Sequence, residues 1–145
     1  MREILFRGRC VADDDIYGWV TGYYVCLKDI WKNRETHRIY NGFAEADCGN
    51  FYADYYEVDP NTVGQFIGLT DRNGKQIFDG DICRFKEWSN GDMCWVGKIH
   101  YEHQQFVISG KPNKECATDF CLVMSRFIPE NIEVIGNIHD NPELV

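Results

Sequence analysis

No apolar run in this 145-residue sequence approaches the ~18–20 residues that a bilayer-spanning helix requires, so no membrane association is expected. The opening Met1-Arg2-Glu3 leads into only a few apolar residues, short of the ~7–15 of an export signal. Cysteines are present but unframed: Cys10, Cys26, Cys48, Cys83, Cys94, Cys116 and Cys121 are odd in number and lack a tight spacing pattern. That usage points to reduced thiols in a cytoplasmic setting rather than to a disulfide scaffold. Cations are outnumbered, with 15 Lys and Arg against 23 Asp and Glu for a net charge of −8. Broad, non-specific phosphate binding, which needs clustered cations, is disfavoured by this balance. No Gly-rich run precedes a helix and no Gly-Lys-Ser/Thr occurs, which excludes a nucleotide-cradling loop. Helical periodicity is equally scarce, because Gly or Pro interrupts nearly every candidate window.

What the chain does have is a series of short stretches rich in aromatic and β-branched residues, punctuated by Gly, Asn and Asp. The hydrophobic fraction of 44% and aromatic fraction of 14% suit a folded protein. Strands are expected at 4–6, 18–27, 38–40 and 51–58, with Asp13-Asp14-Asp15 a turn, residues 28–36 a polar loop, Asn41-Gly42 a turn and Cys48 in a loop. Gly22, inside the second stretch, signals a bulge or a close backbone approach. Asp59-Pro60-Asn61-Thr62-Val63 starts like a helix, but Gly64 follows too soon for more than one turn. This connector divides an N-terminal β-rich region, 1–58, from a C-terminal region, 59–145.

The second region is the more legible. Gln65–Thr70 and Gln76–Phe78 flank Asp71-Arg72-Asn73-Gly74, a hairpin turn in which Asn-Gly tolerates positive φ. Asp79-Gly80-Asp81 turns into a strand over 82–86. Residues 94–101 and 105–109 form a further hairpin between the loops 89–92 and 110–118. Residues 121–127 are ambiguous between strand and helix, and 133–139 close the set. Closely spaced short strands with tight turns suggest a small SH3-like barrel, since closure removes exposed edges. The fold class read from the sequence is therefore mainly β: an N-terminal β-rich half followed by a small SH3-like barrel.

Candidate chemistry is thin. His100 and His103 lie near Cys94 in sequence, with Cys116 and Cys121 further on, a donor set that suits zinc. On a strand, however, a three-residue spacing points two side chains to opposite faces unless a turn intervenes. Nucleophilic catalysis needs a thiol or hydroxyl beside an oriented base, and no local signature marks one. Asp79-Gly80-Asp81 is turn chemistry first, and Asp13-Asp14-Asp15 lacks the Gly and closing Glu of a calcium loop. No catalytic residue, metal ligand or cofactor is assigned.

The N-terminal third carries the remaining signal. Residues 43–82 hold two cations and eight carboxylates, whereas Lys28, Lys32, Arg34 and Arg38 cluster within the first 42 residues. Trp19, Tyr23, Tyr24, Trp31, Tyr40, Phe51, Tyr52, Tyr55 and Tyr56 crowd the same part of the chain. Rings among arginines suit stacking on nucleobases, and they suit a subunit interface, where Tyr, Trp and Arg are enriched. Lys28, Trp31, Lys32, Arg34 and Arg38 are thus the candidate partner-binding residues.

The stretch VDPNTVGQFIGLTDRNGKQIFDGDICRF, from Val58 to Phe85, resembles the YopX family of phage and prophage proteins, as do the opening MREILFRG and the closing IEVIGNIHDNPELV. Gly64, Gln65, Gly68, Leu69, Asp71, Asn73, Gly74, Ile77, Gly80, Asp81 and Ile82 match the family's central pattern. Ile132, Glu133, Ile135, Gly136, Asn137, Ile138, Asn141, Pro142 and Leu144 match its end. The resemblance implies a mainly β fold and a multimeric assembly with a hexamer as one form; with the reduced thiols, the expected setting is the cytoplasm of a host cell. It implies no activity, because the family has no established function. Residues 28–50 and 86–118 follow the pattern least, and variable loops on a fixed scaffold are where partner choice resides. The expectation is a non-enzymatic, homo-oligomeric accessory protein that binds a host or phage macromolecule. Nucleic-acid binding through a barrel, mimicry of nucleic acid by the acidic middle, and a Cys/His or zinc enzyme are the alternatives.

Overall fold

Period-two alternation and frequent turn residues produce strands throughout. The computed structural model describes residues 3–12, 18–31, 33–45, 51–86, 95–110 and 119–145, with the backbone alone at 43–45 and 51–53. Strands make up 63% of these residues, and no α-helix occurs among them. In chain order they are β1 (Phe6–Arg9), β2 (Trp19–Asp29), β3 (Arg34–Glu45), β4 (Phe51–Glu57), β5 (Gly64–Thr70), β6 (Gln76–Phe78), β7 (Asp81–Phe85), β8 (Trp95–Glu102), β9 (Gln105–Gly110), β10 (Phe120–Val123) and β11 (Ile132–Asn137). The turn at Asp13–Asp15, Lys32, the loop holding Cys48 and the loops at 89–92 and 111–118 lie outside the described residues.

The chain divides into two units, Met1–Gln65 and Phe66–Val145. In the first, strands run in the order β4-β3-β2-β1, all antiparallel. The opening residues of β5 pair with β1, Phe6 opposite Gln65 and Arg7 opposite Gly64. The expected single helical turn is present as a 3-10 turn over Pro60–Thr62, capped by the Asp59 side chain on the Asn61 N–H. Its Thr62 hydroxyl accepts from Arg9 N–H at 2.8 Å, which ties the turn to β1. Val20, Ile39 and Val58 form the buried core here, with Phe6, Tyr24, Tyr56 and Val63 packed around it.

Residues 28–36 are not a loop. The β2–β3 ladder continues through Leu27–Thr36, Lys28–Glu35 and Asp29–Arg34, so only a tight tip separates the strands. Asn41-Gly42 is not a turn either, but the site of a register shift within the β3–β4 ladder.

In the second unit, β5 and β6 form the expected hairpin, with the Gly74 N–H donating to the Asp71 carbonyl and Gly74 at φ +80°. A five-stranded sheet follows in the order β10-β9-β8-β7-β11. Eight buried residues, Phe85 among them, make a larger core than the first unit has. Phe85 meets the rings of Phe120 and Phe127 edge-on at 5.4 and 5.1 Å. The stretch 121–127 proves to be both of its alternatives: β10 ends at Val123 and a 3-10 turn over Met124–Arg126 follows.

The SH3-like barrel is a correction. β11 returns beside β7 and not beside β10, so β10 and β11 are edges and neither sheet closes into a barrel. Short strands and tight turns are common to open sheets and barrels, and closure depends on which distant strands pair, which turn residues do not encode.

The β8–β9 loop is a two-residue turn, His103-Gln104, with both residues at positive φ (47° and 66°). That geometry is the type I′ turn, which Asn-Gly fits with least strain. His103→Asn with Gln104→Gly is expected to raise the unfolding free energy by about 1 kcal/mol, read from urea denaturation.

Candidate functional site

The candidate partner-binding residues converge on the β2–β3 hairpin and separate onto its faces. Alternation and register put Tyr23, Val25 and Leu27 of β2 beside Tyr40, Arg38 and Thr36 of β3, with Tyr55 and Glu57 of β4 next in line. This outer face is exposed: Tyr23, Val25, Leu27 and Tyr55 all show substantial surface. At the tip, Ile30 and Trp31 are 78% and 92% exposed, and the Trp31 N–H donates to Asp29 Oδ1 at 2.9 Å.

The outer arginines are engaged within the sheet. Arg34 Nη2 donates to Glu57 Oε1 at 3.2 Å. The Arg38 guanidinium lies 4.3 Å from the centre of the Tyr55 ring, and Tyr55 in turn packs on Tyr40 at 5.4 Å. A hydrogen bond with Tyr40 helps to raise the Arg38 pKa above its ordinary value, so its charge persists at all working pH. Lys28 is exposed on the opposite face, across the ladder from Glu35, so it does not join Arg34 and Arg38. Lys32 lies outside the described residues.

The inner face begins on the core and then leaves it. Tyr24, Cys26 and Lys28 of β2 oppose Ile39, His37 and Glu35 of β3. Ile39 is fully buried, His37 is half-buried, and Cys26 and Glu35 are exposed. The Tyr24 hydroxyl lies 2.6 Å from His37 Nδ1, and the two rings stack at 6.0 Å. Burial pushes the Tyr24 phenol up, and the neighbouring Cys26 and Glu35 groups add to the effect. Composition and motif spacing gave no sign of this cluster, because the pairing that assembles it runs through residues read as a loop.

Among the described residues, the histidine pair of the second unit belongs to no group of three metal-type donors. A turn does intervene at His103, as the spacing required. His100 Nε2 faces Glu102 Oε2 at 3.3 Å and His100 Nδ1 faces Ser109 Oγ at 3.4 Å. Cys121 is exposed on β10, and Cys94 and Cys116 lie outside the described residues. Burial raises the Asp79 carboxyl, with His100 opposing the effect.

Among the described residues, no helix is long and apolar enough to cross a membrane. The model of the family described as "YopX protein" matches residues 14–145. Among solved structures, the crystal structure of protein EF1440 from Enterococcus faecalis is similar, with a TM-score of 0.55 and 23% identity over 99% of each chain. At that identity the likeness is one of fold alone. No curated protein matches the chain.

Proposed function

We propose that this chain, which belongs to the YopX protein family, is a non-enzymatic binding protein that assembles with further copies of itself through the outer face of the β2–β3 hairpin. The observation that carries this reading is the contiguous exposed strip of Tyr23, Val25, Leu27 and Tyr55, ending at Ile30 and Trp31. Large apolar side chains gathered on one sheet face are a recurrent mark of an interface. The first unit also has a small core of its own, Val20, Ile39 and Val58, so covering the strip adds burial where little is available.

A second copy is the occupant because the strip carries both signs of charge beside its rings. Arg34, Arg38 and Glu57 share this face, and a patch bearing both charges is self-complementary under a two-fold axis. The same arginines argue against nucleic acid, since one is paired with a carboxylate and the other stacked on a tyrosine. A role as a phage or prophage accessory protein is the setting that the family resemblance implies, and the unframed cysteines favour a cytoplasmic one.

Light scattering on a sizing column tests the assembly. The wild-type chain at ~10 μM is expected to run as a multimer, and Leu27→Lys with Trp31→Ala as a monomer, a loss of about 100-fold or more in affinity. Both side chains are exposed, so the variant keeps its fold. A wild-type monomer at ~50 μM overturns the proposal, and an unchanged multimer in the double variant overturns its placement on this face.

A further inference from the structure

We infer that Cys26, Glu35 and His37 form a binding site for one zinc-class divalent cation on the inner face of the β2–β3 hairpin. The site is independent of the assembly reading, which concerns the opposite face.

The ladder creates the cluster. Cys26 and His37 are directly opposed across the two strands, where Cβ atoms stand ~4.5–5.5 Å apart. Glu35, two residues before His37 on the same strand, points to the same face. One donor atom from each of the three residues lies within 4.8 Å of the other two. In a tetrahedral zinc site the ligand atoms are roughly 3.3–3.6 Å apart, given Zn–S near 2.3 Å and Zn–N or Zn–O near 2.0–2.1 Å. Closing that gap takes small torsional adjustments, which the exposed Cys26 and Glu35 side chains can make without disturbing the core.

The donor set selects the metal. A thiolate, an imidazole nitrogen and a carboxylate oxygen suit zinc, and they suit calcium and magnesium poorly because those ions seek oxygen alone. Binding replaces the Cys26 S–H bond with an S–metal bond and releases its proton to solvent. The three residues leave a fourth position for water.

The imidazole is held ready. The Tyr24 hydroxyl is 2.6 Å from Nδ1; in the tautomer protonated there, Nδ1–H donates to that hydroxyl and the Nε2 lone pair is left for the metal. A hydrogen bond on the second nitrogen is the usual way a protein fixes the ring and tautomer of a ligating histidine. Lys28, across from Glu35 in the ladder, offers no lone pair while protonated.

Cobalt(II) is the probe. Added to the reduced full-length chain, it is expected to bind one per chain at this site and to give the near-ultraviolet thiolate-to-cobalt band with tetrahedral visible bands, and zinc should displace it. Cys26→Ser should abolish the thiolate band and His37→Ala should weaken binding by about 100-fold or more, while Tyr24→Phe keeps the band and weakens binding about 10-fold. Cys10→Ser and Cys121→Ser should leave the spectrum unchanged. Circular dichroism verifies the fold of each variant. A wild-type spectrum without the thiolate band, or a band undiminished in folded Cys26→Ser, overturns the inference.

Discussion

Asp71→Ala is expected to lower the unfolding free energy of the second unit by about 4 kcal/mol, one of the largest effects available to a single substitution here. The side chain is 2% exposed and takes three backbone donors. Oδ1 accepts from the N–H groups of Asn73 and Lys75 at 2.8 and 2.9 Å, closing the β5–β6 turn. Oδ2 accepts from the Val134 N–H at 3.0 Å, pinning that turn to β11. Alanine leaves these N–H groups without their acceptor. Asp71→Asn retains one acceptor oxygen but turns an NH₂ towards a donor, so about half the loss is expected.

Acid should reproduce part of this loss. Burial works to raise the Asp71 carboxyl, but the donors from Val134, Lys75 and Asn73, with the Lys75 charge, outweigh it and hold the folded pKa below the ordinary value. Stability from this group is therefore present above the unfolded pKa, near 4, and is lost as pH falls through the lower folded value. The gap in unfolding free energy between wild type and Asp71→Asn should be full at pH 7 and narrow below pH ~4. A gap that stays constant through the acid range would show that the charge of Asp71 is not what holds the three donors.

How much of this was readable depended on whether the deciding contact was local. Asp71 and Gly74 sit in one turn, so the β5–β6 hairpin could be placed from four residues. The bond from Asp71 to Val134 could not, because it spans 63 positions. The same limit applies to the barrel, since the placement of β11 against β7 is a choice among distant edges. The β2–β3 hairpin failed for a different reason. Beyond Ile39 it runs past the core with both faces largely solvated, so Lys28, Asp29, Arg34 and Glu35 lack the apolar alternation by which a strand is recognised.

The candidate site inherits that failure. Trp31, Arg34 and Arg38 stood out as residue types, but their distribution over two faces needed the register. Glu35 and His37 were not singled out at all, since a spacing of two places side chains together only on a strand. Only a paired strand brings Cys26 opposite His37 and onto the same face as Glu35, and the polar composition argued against a strand there.

Gly22→Val provides the second large effect, and its sign is diagnostic. At an ordinary strand position, replacing Gly with a β-branched residue favours the fold by roughly 0.5–1 kcal/mol. At Gly22 a Cβ atom would run into the carbonyl oxygen of Tyr40, with the Tyr40 carbonyl carbon 2.9 Å away and Ile39 Cγ2 at 3.0 Å. Two of these neighbours are backbone, so no rotamer change relieves the contact. The crowding has a structural cause. Up to Gly22, β2 pairs with β1, and from Tyr23 onward it pairs with β3, so the end of the β3 ladder lies over the point where β2 changes partners. To admit a side chain, β3 must move off β2 at the base of the hairpin, beside the buried Ile39. The expected cost of Gly22→Val is about 3 kcal/mol. The proposed assembly and the metal site both depend on the register beyond this point, so each should weaken with it. A Gly22→Val chain as stable as wild type would mean that β3 does not approach β2 here, and that the hairpin register set out above is wrong.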